Sequence, residues 1–238
     1  MSAPNAASRW SSRRAYLELF RARWMLFAAL ATVAIGAFVK LTSELTEGEL
    51  EALDRAVLAT VLKLRNPTLN GMAVDITALG SVTVLTFICT VAAAFFCLFR
   101  HWGSAAQIAI AGIGGGIISS SLKRVLERER PEEIDRLVHV ASFSYPSGHS
   151  LVSASVYLTL SILVARQLPQ RRARTVVVLL ALLVAAIVGS SRAYLGVHYP
   201  SDITAGLLLG CGWALLIGAG FSYARGKGTI PDEGAPAE

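Results

Sequence analysis

The sequence predicts an all-α, polytopic membrane helical bundle with about six transmembrane helices plus a short amphipathic interfacial helix. Three observations carry this. Hydrophobic residues make up 54% of the 238-residue chain and charged residues only 16%, where a soluble domain carries about a quarter. The apolar residues run in unbroken blocks near the ~20 residues that cross a bilayer core, not in amphipathic stripes. Polar and charged residues are confined to short segments between the blocks.

The first block runs from Trp24 to Leu41, behind Arg9, Arg13, Arg14, Arg21 and Arg23. It exits into Lys40-Leu41-Thr42-Ser43, a poor site for signal cleavage, so it reads as an uncleaved span. A polar stretch with Glu44, Glu47, Glu49 and Glu51 follows. Within it Leu50, Leu53, Val57, Leu58, Val61, Leu62 and Leu64 recur at helical spacing, as in a helix lying at the interface. Asn66-Pro67 breaks that helix. The next apolar segment runs from Leu69 to Phe99, with Asp75 and Gly80-Ser81 inside it. Its first part reads as a surface approach and the strict span begins near Ser81. Further spans are expected over 104–122, 149–168, 175–190 and 203–223. Gly112, Gly114, Gly115 and Gly116, and Gly206 with Gly210, are small-residue patterns that let helix backbones pack closely in lipid.

The net charge of +6 does not point to nucleic acid, because the basic residues lie in short loops and tails and no nucleic-acid-binding motif is present. Cys89, Cys97 and Cys211 lie inside apolar runs and fit neither a disulfide framework nor a metal pattern. An even number of spans puts both termini on one side, with the loops near Arg100 and Arg166 to Arg174. Once Lys123, Arg130 and Arg192 are set aside, basic residues favour that side, which predicts cytoplasmic termini.

Three polar clusters interrupt the apolar pattern, all at the opposite, external face: Lys123 with Arg130-Pro131, then Pro146-Ser147-Gly148-His149, then Ser191-Arg192 with His198 and Asp202. Ionisable groups at a membrane edge are functional candidates by default. Phosphoryl transfer needs cations for the oxygens, a nucleophile, an acid for the leaving group and a group that orients the nucleophile. Lys123 and Arg130 stand two helical turns apart, so on one continuous helix both would face one pocket before Pro131 ends it. Arg192 adds a guanidinium fork suited to two phosphate oxygens. As the bland alternative, these are snorkelling basic residues or a surface ion-pair patch with Glu127 and Glu129. Ser147-Gly148 at a helix start offers free N–H groups to an anion, with His149 beside it as a proton donor, although an ordinary N-cap is an equally simple account. A neutral His198 is a competent nucleophile toward phosphorus if Asp202 holds the far ring N–H. Pro200 makes that contact one across a turn. Alternatively, Asp202 or Ser201 merely caps the last span.

Lys-x6-Arg-Pro, Pro-Ser-Gly-His and Ser-Arg-x5-His-x3-Asp, in this order between Lys123 and Asp202, resemble the three-part signature of the type-2 phosphatidate phosphatase superfamily, which also includes the vanadium haloperoxidases. The resemblance implies that His198 forms a phosphohistidine, Asp202 orients it, His149 protonates the leaving oxygen, and Lys123, Arg130, Ser147, Gly148 and Arg192 hold the phosphoryl group. It implies no metal and no cofactor. The expected substrate is a lipid phosphomonoester or pyrophosphate in the bilayer, of the undecaprenyl pyrophosphate, phosphatidylglycerophosphate, phosphatidate or lipid A type. The expected setting is a bacterial inner membrane. A non-hydrolytic lipid-phosphate binding or transport protein and a vanadate-dependent peroxidase are the alternatives. The corresponding organisation is a basic cytoplasmic segment over 1–23, a six-span catalytic domain over 24–223 and a disordered cytoplasmic tail over 224–238. No role is assigned to His139, Arg124 or Arg128.

Overall fold

A computed structural model describes residues 6–131, 135–231 and 233. The described residues form eight helices and no strand. α1 (Ala6–Thr46), α5 (Trp102–Leu126), α6 (Gly148–Gln167), α7 (Arg171–Tyr194) and α8 (Pro200–Gly226) each contain a span long and apolar enough to cross a membrane. α3 (Pro67–Ala78) and α4 (Val82–Leu98) make a sixth as a pair bent by 41°. The interfacial helix α2 (Glu51–Leu62) lies between α1 and α3.

Local chemistry sets these boundaries. Asn66 caps α3, its side chain accepting from the Leu69 N–H at 2.9 Å, and Pro67 takes the first helical position, where no N–H is needed. The pair Asn66-Pro67 therefore starts a helix; α2 has already ended at Leu62. Ser81 caps α4 by accepting from Val84 N–H. α2 is amphipathic, as the spacing predicts. Leu58 is buried against Ala193 and Ile203 while Leu53 and Val57 face outward.

α6 is the hub, the most enclosed of the spans, and packs against α5, α7 and α8. α1 runs antiparallel along α8, with Trp24 against Tyr223 near one end and Phe38 against Leu209 further along. The α6–α8 crossing depends on glycine. A Cβ at Gly206 would lie 2.6 Å from the Ser147 carbonyl oxygen, and one at Gly210 would lie 2.2 Å from that of Leu151. This close approach brings the start of α6 beside the start of α8, and Ser147 N–H donates to the Asp202 carbonyl at 3.0 Å. Gly116 behaves differently from its neighbours: nothing lies within 4 Å of its missing side chain.

α8 itself continues to Gly226, into the expected tail, and the Glu233 carboxylate accepts from Gly103 and Ser104 N–H at the start of α5. Residues 1–5 and 234–238, parts of the expected N-terminal segment and tail, lie outside the described residues.

Candidate active site

α5 does not continue to Arg130. Glu127 adopts a left-handed conformation (φ 42°) and closes the helix at Leu126, its N–H donating to the Lys123 carbonyl. The chain then runs extended, and in extended chain alternate residues share a side. Arg128 and Arg130 both turn inward while Glu127 and Glu129 stay exposed. The two-turn spacing of Lys123 and Arg130 on one helix is thus replaced by a helix end plus an extended strap. Both residues still line the same cavity.

At the far wall, α7 ends at Tyr194 and Gly196 (φ 77°) turns the chain toward His198. Pro200 opens α8, leaving His198 just outside the helix and Asp202 in its first turn. His198 Nδ1 and Asp202 Oδ2 are 3.2 Å apart, both buried. The same Oδ2 accepts from Tyr199 N–H at 2.8 Å and from the Ser144 hydroxyl. Asp202 therefore caps α8 and holds the imidazole at once, so the two alternatives read from the sequence coexist. Burial pushes the His198 pKa down to about 4 against the pull of Asp202, with Arg130 and Lys123 adding to the fall. At neutral pH the ring is uncharged; with Nδ1–H on Asp202, Nε2 carries the lone pair.

The cations converge on that nitrogen. Arg130 Nη1 is 3.2 Å from His198 Nε2 and also donates to the Val197 carbonyl. Its Nε donates to Ser142 O at 2.6 Å and its Nη2 to Phe143 O at 3.0 Å. Burial lowers its pKa to about 10, which still leaves it charged at pH 7. Lys123 Nζ donates to the carbonyls of Phe143 and Ser144. Arg192 Nη1 donates to Thr77 Oγ1 at 3.1 Å, while its buried Nε has no partner among the described residues.

Lys123, Arg130, Gly148, His149, Arg192 and His198 line one cavity of about 770 Å³. Six of the eight residues predicted from sequence thus face a common space. The other two stand behind it. Asp202 reaches the cavity through His198, and the fully buried Ser147 accepts from Ser150 N–H as the N-cap of α6. Away from its charged end the cavity continues between α4 and α5 past Thr86, Cys89, Gly112 and Gly116 to Cys97 and Ala109. Among the described residues no cluster of three His, Cys, Asp or Glu side chains is placed to hold a metal ion.

Sequence reasoning missed Arg128, Asp54 and Ser144. Arg128 donates to Asp202 Oδ1 at 2.5 Å and to Asp54 Oδ2 at 2.7 Å. Burial works against its charge, but Asp202 and Asp54 outweigh that and hold its pKa above the ordinary value. One signal was present: Leu50, Asp54 and Leu58 fall on one face of α2, and an acid on an apolar face requires a buried partner.

An all-helical, multi-pass membrane protein with this constellation at one end of the bundle defines a class, and comparison with known proteins gives the family. The PAP2 superfamily model matches residues 104–225, which include all three clusters. The chain is 32% identical over 175 residues to phosphatidylglycerophosphatase B of Bacillus subtilis, covering 73% of this chain and 85% of that protein. It is 33% identical over 120 residues to lipid A 1-phosphatase of Rhizobium etli, 46% of each chain. It is 37% identical over 68 residues to undecaprenyl-diphosphatase of Sulfolobus acidocaldarius, 29% of each. The crystal structure of the transmembrane PAP2-type phosphatidylglycerolphosphate phosphatase from Bacillus subtilis superposes with a TM-score of 0.73 at 29% identity, covering 79% of this chain and 93% of that one. Aquifex aeolicus LpxE shares the fold (TM-score 0.56, 22% identity, 69% and 94% covered). The chain belongs to the PAP2 superfamily.

Proposed function

We propose that this protein is a metal-independent lipid phosphate phosphatase that works through a phosphohistidine on His198. One observation carries the reading: a buried His198–Asp202 pair presents Nε2 to a cavity whose charged end holds Lys123, Arg130 and Arg192. Names of relatives supply the substrate types: phosphatidylglycerophosphate, a lipid A 1-phosphate and undecaprenyl diphosphate.

In the first step Nε2 attacks phosphorus as the bond to the leaving oxygen breaks. His149 gives its proton to that oxygen, releasing an alcohol from a monoester or a lipid monophosphate from a diphosphate. The Nδ1–H bond to Asp202 stabilises the positive charge that develops on the ring. Lys123, Arg130 and Arg192 offset the charge on the phosphoryl oxygens. With substrate bound, the Arg130 N–H that faces Nε2 would donate its hydrogen bond to one of them instead. In the second step His149 takes a proton from water, the oxygen attacks phosphorus, the N–P bond breaks, and phosphate leaves with His198 restored.

The cavity's shape supports a lipid substrate. From Lys123 to Ala109 the groove follows α5 for about 21 Å at 1.5 Å per residue, beyond the midplane of a ~30 Å hydrocarbon core. A phosphate at the charged end would leave its tail between α4 and α5. The site would face the external leaflet of a bacterial inner membrane with cytoplasmic termini, a reading supported by Arg100 and, at the adjoining ends of α6 and α7, Arg166, Arg171, Arg172 and Arg174, all at the opposite end of the bundle. Labelling of Arg100→Cys by an impermeant thiol reagent in intact spheroplasts would contradict that orientation.

Phosphate release by purified protein in detergent with excess EDTA tests the activity, using these three lipid types beside His198→Ala. Release that survives EDTA and disappears in the variant is expected. Turnover by His198→Ala at the parent rate would overturn the mechanism.

A further inference from the structure

The carboxylate that holds His198 is itself held from outside the bundle. Asp202 Oδ2 is taken up by His198, Tyr199 N–H and Ser144. Oδ1 accepts from Arg128 Nη1 at 2.5 Å. The same nitrogen donates to Ser201 Oγ at 2.7 Å, and Nη2 donates to Asp54 Oδ2 at 2.7 Å. Asp54 closes the ring, its Oδ1 accepting from Ser201 N–H at 2.9 Å and its Oδ2 from the Ser201 hydroxyl at 2.5 Å. The Arg128 guanidinium lies 4.4 Å from the centre of the Tyr199 ring, so its face is fixed as well as its edges. Side-chain exposure is 3% for Asp54, 16% for Arg128 and 0% for Asp202, where charges are weakly screened.

We propose that Asp54 on the interfacial helix α2 and Arg128 are a positioning pair that fixes the orientation and effective charge of Asp202, and through it the basicity of His198. The inference rests on the roles given above to His198 and Asp202.

Charge balance makes the two residues act in opposite directions. With both in place, two carboxylates share one guanidinium, which leaves about one negative charge to face the imidazole. Without the Arg128 charge two negative charges remain, the imidazolium is favoured, and His198 binds its proton more tightly. Without the Asp54 charge Arg128 neutralises Asp202 alone, and the imidazolium loses support. Other groups stay constant across such variants. Arg130 touches Nε2, Ser144 stands by Nδ1, Lys123 acts from α5, and His149 and Arg192 face the ring across the cavity from α6 and α7. His198 sits far below an ordinary histidine, at about 4, so there is ample room for an upward shift.

The geometry also ties the site to the membrane surface. α2 carries Leu53 and Val57 on its outward side and Asp54 and Leu58 on its inward side. The same helix that rests on the interface thus holds the start of α8.

The test is the pH dependence of kcat/KM from about pH 2.5 to pH 8 for the unmodified protein, Arg128→Gln, Arg128→Lys, Asp54→Asn and the double variant Asp54→Asn/Arg128→Gln. Arg128→Gln should move the acid limb up by about one pH unit, and Asp54→Asn should move it down. Arg128→Lys should leave it in place while kcat falls, because charge is kept but the fork is lost. The double variant should fall between the two single ones. A merely structural role would lower kcat in every variant without moving the limb. An unmoved limb, or shifts of the two single variants in the same direction, would overturn the inference. The double variant and Asp54→Asn, which keeps the shape of the ring, cover the case in which Arg128→Gln does not fold. Parent-level turnover by His198→Ala would instead remove the reading of the site itself, a result distinct from an unmoved limb.

Discussion

His198 Nδ1 lies 3.2 Å from Asp202 Oδ2 across the turn that Pro200 opens, and the same carboxylate oxygen accepts the Tyr199 N–H. The start of α8 and the orientation of the imidazole are therefore fixed by one group. Asp202→Asn should keep much of the cap but present an amide that favours the wrong ring tautomer. A fall in kcat of about 10³- to 10⁴-fold is expected, by analogy with the loss of the orienting carboxylate in the Ser-His-Asp triad, together with a lower melting temperature, because a buried charge and one of its two acceptor oxygens are lost. Steady-state kinetics and a thermal melt on the same preparation check this.

The depressed pKa of His198 gives two pH predictions with a definite sign. A neutral nucleophile is available down to about pH 4, so the limb due to His198 should lie near there and not near 6.5. An unfolded chain binds that proton below about 6.5 while the folded one does not until about 4. Stability should therefore be full above 6.5 and decrease as pH falls through that window. Rates and melting temperatures measured from about pH 2.5 to pH 8 test both.

Gly116 offers a probe of the groove, because it lines the cavity and nothing lies within 4 Å of a Cβ built there. Gly116→Leu should place an isobutyl group in the passage between α4 and α5. The ratio of kcat/KM for a long-tailed to a dioctanoyl lipid phosphate should then fall tenfold or more. An unchanged ratio would mean that the tail lies elsewhere.

Gly210 tests how the bundle holds its two halves of the site. A Cβ at this position would lie 2.2 Å from the Leu151 carbonyl, which is backbone of α6 and cannot move alone. Gly210→Ala should lower stability by about 1–3 kcal/mol, as overpacking commonly does. It should also lower activity, since α6 carries His149 and α8 carries Asp202. Thermal unfolding in detergent measures the first effect.

Much of this was legible in the residues. Long apolar blocks gave the spans because lipid requires them, Ser81 marked a helix start and Pro200 a break before the last span, whereas Asn66-Pro67 read as a helix breaker and in fact opens α3. Lys123, Arg130, Gly148, His149, Arg192 and His198 were legible as one set because phosphate chemistry needs those groups together. The end of α5 was not, since Glu127 adopts its left-handed turn in a run that is otherwise helix-forming. That single turn converts Arg128 from a surface residue into the partner of Asp202. Asp54 was hidden for a related reason: its partners Arg128 and Ser201 are distant in sequence, and only tertiary packing joins them. Ser147 matched the motif but acts here as a cap, a role its position at a helix start equally allowed.

The most direct test of the central claim is to trap the intermediate. The purified protein in excess EDTA would be mixed with a ³²P-labelled lipid phosphate, quenched in alkali within one turnover, digested and mapped. Label is expected on the peptide that contains His198, lost on acid treatment and absent from His198→Ala. Release of labelled phosphate at the parent rate with no label ever on that peptide would contradict it.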